Sequence, residues 1–201
     1  MINNRILSIC KTLDDYQYFN ECVDPGMITW VDVYEYFIPH TIRNVELIRD
    51  GKIDIPLRGL FQDRDFILNQ IAQDAMFCIT NFWNINYSAQ TLWECFCDNY
   101  PARGVDFHLY GGLSANAQSF PPHNDFATNY IVQLDGSCEW TIYDERATAE
   151  EAYNYVTYPV DQLTVRTVQI LNPGDVIYIP SGVHHSCRPL GKRLSLSIPI
   201  L

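Results

Sequence analysis

Nothing in the 201-residue chain approaches the run of about 18 apolar residues that a bilayer-spanning helix needs. The first residues, MINNRILSICKTLDD, also lack the apolar core of a secretory leader. Together these absences lead us to expect a soluble, cytoplasmic protein with no membrane partner. Positive charge is scarce: 13 Lys and Arg stand against 24 Asp and Glu, for a net charge of −11. No direct nucleic-acid binding is expected from that balance, whereas a basic peptide or a cationic small molecule would be tolerated. Paired cysteine motifs are missing too. The seven cysteines are odd in number and offer only the C-x-C of Cys95 and Cys97, which points to reduced thiols rather than a disulfide framework. Repeats, low-complexity tracts and Gly/Ser linkers are absent. What is present is a hydrophobic content of 47% with 13 Tyr and 10 Phe, enough for one domain with a sizeable core and a walled pocket.

The chain divides by texture. Residues 1–103 read as an α-rich shoulder. Thr29 is placed to cap a helix with Trp30, Val33, Tyr34 and Phe37 at helical spacing. Asp63 is placed to cap a second, carrying Ile67, Leu68, Ile71 and Ala75. Met76 to Thr80 reads as a buried strand, and Ser88 opens a third helix with Leu92, Trp93 and Phe96 on its apolar face. From residue 104 to 201 the pattern is β. VDFHLY, TNYIVQL, CEWTIY, TVQIL, DVIYIP and RLSLSIPI are strand-like, split by Gly111-Gly112, Asp135-Gly136, Pro173-Gly174 and Gly191. LDGSCEW reads as a hairpin at Asp135-Gly136. Residues 144–162 form a polar, acidic and aromatic excursion, either a rim over a site or a solvated insertion with a short helix.

Within the β half, QSFPPHNDF supplies His123 and Asp125, and SGVHHS supplies His185. Two histidines and one carboxylate are the ligand set of a mononuclear non-haem iron site with open positions. Residues two apart share one face of a strand, so His123 and Asp125 are expected to point into one cavity. His185 would reach them through the closure of a β barrel. On these residues alone a plainer alternative stays open, with the histidines at strand ends and Asp125 in a turn. His184, next to the proposed ligand, is expected to face away from it, and His108 to be a satisfied core or surface residue.

The segment NAQSFPPHNDF, followed by YIVQLDG, the W-x-x-Y strand and PGDVIYIPSGVHH, resembles the JmjC-like branch of the cupin superfamily, especially its ribosomal-oxygenase-type and protein-hydroxylase members. The resemblance is dense from about Val105 to Ile198. It implies a mainly β fold with N-terminal helices, a double-stranded β-helix of the cupin or jelly-roll kind, in a single domain over residues 1–201. It also implies Fe(II), 2-oxoglutarate and O2 as cofactor and co-substrates, with His123, Asp125 and His185 on the metal. The distal carboxylate of 2-oxoglutarate needs a cationic partner. In this branch that is usually Lys or Arg, in a slot that Cys138 fills here. Arg193 and Ser195, on one face of the last strand, resemble the co-substrate pair of other 2-oxoglutarate oxygenases. Asn129 matches a position that orients the iron-bound end of the co-substrate, and Tyr110 and Tyr178 each offer a phenol to the pocket or to the core.

The resemblance implies an oxygenase that hydroxylates a C–H bond of a peptide or protein side chain, or of a small amino-acid-like molecule. Two alternatives stand beside it: a non-catalytic metal-binding cupin used as an interaction module, and a cupin metalloenzyme that does not use 2-oxoglutarate. The chain runs 16 residues past His185. On that basis the C-terminal helical module of larger ribosomal oxygenases is not expected and a ribosomal-protein substrate is not carried over; histone demethylation is less favoured because a basic tail would need a larger reader surface. The oligomeric state is left open.

Overall fold

A strand that is buried at every position, as RLSLSIPI is, must be covered on both faces, and the architecture does this with helices on one side and a second sheet on the other. The computed structural model describes residues 4–37, 45–53, 64–154, 156 and 158–201. Its elements run α1 (Asn4–Cys10), β1 (Gln17–Phe19), α2 (Trp30–Phe37), β2 (Val45–Arg49), β3 (Lys52–Ile53), α3 (Arg64–Ala72), β4 (Met76–Ile79) and α4 (Tyr87–Asn99). There follow β5 (His108–Gly112), β6 (Thr128–Asp135), β7 (Cys138–Arg146), α5 (Ala149–Tyr153), β8 (Val165–Leu171), β9 (Val176–Ile179), β10 (Val183–Pro189) and β11 (Arg193–Ile200). Among the described residues no helix is long and apolar enough to cross a membrane.

An eight-stranded antiparallel sheet has the order β1-β9-β6-β11-β5-β4-β2-β3, and a three-stranded sheet the order β10-β7-β8. The large sheet packs one face on the helices, through a cluster that includes Val33, Ile67, Ile71, Leu92, Phe96, Leu194, Leu196 and Ile198. Its other face meets the small sheet through Ile131, Ile177 and Ile179 against Trp140, Ile142, Leu171 and Val183. This is a jelly roll, the double-stranded β-helix that the sequence implied, with the first half of the chain adding β1 to β4 as well as helices.

Several local expectations hold and several are corrected. α2 begins after Thr29, whose N–H and hydroxyl both donate to Asp32 Oδ2, at 2.6 and 2.7 Å. α4 is capped by Asn86, not Ser88: Asn86 Oδ1 accepts from Ala89 N at 2.8 Å. Asp63 lies outside the described residues. Gly111 and Gly112 do not break the strand but end β5 inside it. A Cβ at Gly111 would stand 2.3 Å from Phe77 Cζ, and one at Gly112 2.5 Å from Ala117 Cβ, so these are close approaches and not a turn. Asp135-Gly136 turns the chain with Gly136 at φ +62°, but it leads from β6 in one sheet to β7 in the other, so there is no hairpin. The expected run list also lacked β10, which carries a proposed ligand.

Candidate metal centre

His123 is not on a regular strand. It precedes β6 as an isolated bridge to His185, with His123 N donating to His185 O at 3.0 Å and His185 N to His123 O at 2.8 Å. Two residues distant in the sequence are thereby placed directly opposite each other, their rings 4.5 Å apart between centroids. Asp125 is held by its own backbone: its carbonyl accepts from Gly182 N at 2.9 Å, in the turn that leads into β10. The expected shared strand face is thus replaced by a bridge and a turn, with the same convergence. One ligand atom from each of His123, Asp125 and His185 lies within 4.8 Å of the others.

The donor atoms face the right way for a cation. His123 Nδ1 donates to Pro121 O at 2.8 Å and His185 Nδ1 to Val183 O at 2.9 Å, which leaves both Nε2 atoms as acceptors toward the common point. Asn129 Nδ2 donates to Asp125 Oδ2 at 2.7 Å, and its Oδ1 accepts from Ser197 Oγ at 3.2 Å, so the carboxylate is oriented from behind. Both polar ends of Asn129 are therefore engaged on Asp125 and Ser197. Burial works to raise the Asp125 carboxyl, but hydrogen bonding and charge from His185, then His123, leave it below its ordinary value. Burial works to lower His185, yet Asp125 outweighs it and the imidazole is raised. His123 is lowered, first by burial and then by His185.

These groups open onto a cavity of about 450 Å3, its open mouth included, whose walls also carry Tyr110, Trp140, Cys187, Arg193 and Ser195. Arg193 points inward, only 2% exposed. Its Nη1 reaches Ser195 Oγ at 3.3 Å and Cys187 Sγ at 3.7 Å, and its Nη2 faces Met76 Sδ. No carboxylate pairs with it among the described residues, and its Nε has no hydrogen-bond partner. Ser195 Oγ also donates to Gln133 Oε1 at 2.8 Å. Cys138, in the slot usual for a cation, lies 4.0 Å from Ser195 Oγ. Its thiol is lowered to about 6, chiefly by a hydrogen bond from Cys187 and, against burial, by the charge of Arg193.

Among the other expected residues, Tyr110 lines the cavity while Tyr178 belongs to the core, its hydroxyl donating to Leu13 O at 3.3 Å. His108 pairs with Asp106 Oδ2 at 3.0 Å. His184 faces away from the site, fully buried: Nδ1 donates to Glu145 O at 3.1 Å, and Nε2 accepts from Asn124 Nδ2 at 3.2 Å. Tyr158 stacks on it at 4.6 Å and Asn124 Nδ2 also bonds Val156 O at 2.6 Å, so the 144–162 excursion is fastened beside the site with α5 at its centre. Sequence reasoning missed Ser119, Phe120, Ile131, Trp140, Cys187 and Ser197 as wall residues. Ser197 was accessible from alternation, since it continues the face of Arg193 and Ser195. Cys187 was not, because VHHSCRP, the sequence of β10, carries no strand-like pattern of its own.

A sequence profile of the JmjC domain matches residues 85–200. The chain is 28% identical over 120 residues to the bifunctional lysine-specific demethylase and histidyl-hydroxylase NO66 of Culex quinquefasciatus, covering 58% of this chain and 17% of that protein. It is 33% identical over 88 residues to ribosomal oxygenase 2 of Mus musculus, covering 43% of this chain and 18% of that one. The chain thus spans less than a fifth of these relatives. In structure it is similar to YcfD, a ribosomal oxygenase from Escherichia coli solved with cobalt and 2-oxoglutarate, with a TM-score of 0.66 and 18% identity, over 92% of this chain and 48% of that one. That likeness speaks to the fold.

Proposed function

Because the chain belongs to the JmjC-domain family, we propose that it is an Fe(II)- and 2-oxoglutarate-dependent oxygenase that hydroxylates a C–H bond of a peptide or protein side chain, or of a small amino-acid-like molecule. One observation carries this reading. The cavity that gathers two imidazole Nε2 atoms and a carboxylate also contains a buried guanidinium with no carboxylate partner among the described residues and an unbonded Nε. A buried cation left in that state is costly unless a ligand supplies the anion. A dicarboxylic 2-oxo acid fits both ends of such a site.

In this reading His123, Asp125 and His185 hold the metal, and Arg193 with Ser195 receives the far carboxylate of the co-substrate. Asn129 and Ser197 keep Asp125 in its ligating rotamer. Trp140, Ile131 and Phe120 give the cavity apolar walls, which would limit the water around a bound co-substrate and so its side reactions. Bound iron and 2-oxoglutarate, with O2, supply the oxidising power for C–H hydroxylation. The names of the relatives support a protein side chain as substrate.

Anaerobic addition of Fe(II) and 2-oxoglutarate tests the proposal. A weak visible charge-transfer band and O2-dependent succinate release are expected, and both should vanish in Asp125→Ala with the fold retained. Iron uptake without the band would favour a cupin metalloenzyme that does not use 2-oxoglutarate, and no uptake would favour a non-catalytic module. Undiminished succinate release from the variant would overturn the ligand assignment.

A further inference from the structure

Among the described residues the Arg193 guanidinium has one oxygen partner, Ser195 Oγ, 3.3 Å from Nη1; its other contacts are the sulfurs of Cys187 and Met76. Sulfur is a weak acceptor and directs a donor poorly. What holds Ser195 therefore bears on where the guanidinium rests. The strand register sets Ser195 of β11 opposite Gln133 of β6 and Leu194 opposite Asp135, so Leu134 is the extra residue of a bulge. Gln133 and Ser195 are thus a cross-strand pair. Gln133 is fully buried, behind the cavity wall rather than part of it.

The Gln133 amide has its orientation forced on it. Nε2 donates to Asp135 O at 2.8 Å and to Gly136 O and Leu194 O, each at 3.2 Å. Three carbonyls can only accept, so the amide nitrogen must face them and Oε1 must face Ser195. Ser195 Oγ has a single proton and gives it to Oε1 at 2.8 Å, which leaves its lone pairs for Arg193 Nη1. Every bond in this chain runs the same way, from Arg193 to Ser195 to Gln133 to the backbone, the arrangement in which each bond strengthens the next. The same two strands carry a second serine–amide pair: Ser197 donates to Asn129, and Asn129 to Asp125. One pair fixes the carboxylate of the site and the other its guanidinium.

We propose that Gln133 is a positioning residue for the co-substrate. It touches no ligand; it holds the Ser195 hydroxyl as an acceptor toward Arg193, and so sets the guanidinium where the far carboxylate of a 2-oxo dicarboxylic acid is received. This rests on the reading of the cavity as a 2-oxoglutarate site. Without Oε1, the Ser195 proton is free to turn toward Nη1 or toward Cys138 Sγ, 4.0 Å away, and the guanidinium loses its one directed oxygen contact among the described residues.

The test titrates the cobalt-loaded full chain calorimetrically with 2-oxoglutarate and with pyruvate, a 2-oxo acid that lacks the far carboxylate. Four proteins are compared: unaltered, Gln133→Met, Ser195→Ala and the double variant. Gln133→Met should weaken 2-oxoglutarate by about 3- to 10-fold, the worth of one hydrogen bond, and leave pyruvate unchanged. Once Ser195 is alanine, the same change should cost 2-oxoglutarate nothing further. Melting of the ligand-free proteins reads the stranded carbonyls, which lower stability in both backgrounds; a role in the fold alone would show that loss without selectivity between the two ligands. Gln133→Asn, too short to span Ser195 and the carbonyls together, is read in the same way if Gln133→Met does not fold. Unchanged 2-oxoglutarate affinity, equal weakening of both ligands, or an undiminished loss in the Ser195→Ala background would overturn the role of Gln133 alone. Failure of the unaltered protein to bind 2-oxoglutarate would overturn the co-substrate reading, and this one with it.

Discussion

Replacing Arg193 by methionine separates two effects that an activity assay alone would merge. In the ligand-free protein the guanidinium is 2% exposed, with no carboxylate partner among the described residues and an unbonded Nε. When it is removed, Ser195 Oγ keeps its 2.8 Å bond to Gln133 Oε1, so methionine, of similar reach, strands no new polar group. Exchanging poorly compensated buried charge for apolar volume is stabilising by about 1–4 kcal/mol. For a chain of this size the ligand-free variant should therefore melt higher, by on the order of 5 °C. Against that, the variant loses a charge-assisted contact to the co-substrate carboxylate worth about 1.5–3 kcal/mol, which is roughly 10- to 150-fold in affinity. Calorimetric titration of 2-oxoglutarate into the cobalt-loaded protein reads the second effect, and thermal melting of the ligand-free protein reads the first. A lower melting temperature with unchanged 2-oxoglutarate affinity would show that Arg193 serves the fold and is not an anion receptor.

Two further predictions concern the scaffold. Gly111→Ala would force a Cβ to within 2.3 Å of Phe77 Cζ and 2.9 Å of Leu194 Cδ2. It should destabilise by about 1–3 kcal/mol, with partial recovery when combined with Phe77→Leu. Strictly additive losses in denaturant titrations would contradict the clash. Burial works to raise the Asp32 carboxyl, but bonds from Asn86 and Thr29 hold it below the usual value. A depressed folded value contributes stability that is fully present above the unfolded value of about 3.9 and is lost as pH falls through the folded one. Asp32→Ala should therefore lower the melting temperature at pH 7 and progressively less toward pH 3; an equal loss at both would refute this.

The convergence of His123, Asp125 and His185 was legible because they sit inside a dense motif, and the core strands because β-branched and aromatic runs are separated by turn residues. What failed was pairing, which is non-local. The turn chemistry of Asp135-Gly136 was read correctly, but nothing local states that β7 joins a different sheet from β6. β10, VHHSCRP, has neither an apolar run nor clean alternation, since its burial is imposed by the cavity and by β7 rather than by its own hydrophobicity. The double glycine at 111–112 looks like punctuation until Phe77 and Ala117 are seen against it. β1 and β3 are two or three residues long and carry almost no pattern of their own. Arg193 was legible as a candidate from R-x-S, but its inward direction depends on the pairing of β11 with both β5 and β6.

His123 and His185 owe their opposition to a mutual backbone bridge, and β11, with Arg193, follows later still in the chain. During synthesis, then, the first imidazole and the carboxylate leave the ribosome well before their third companion exists, and Arg193 comes after that. A growing polypeptide has no complete nest in which a ferrous ion could settle and react with oxygen beside unfolded, oxidisable side chains. On the proposed reading, loading would be a property of the finished barrel, and the order of translation itself would delay the oxidative chemistry until there are walls to contain it.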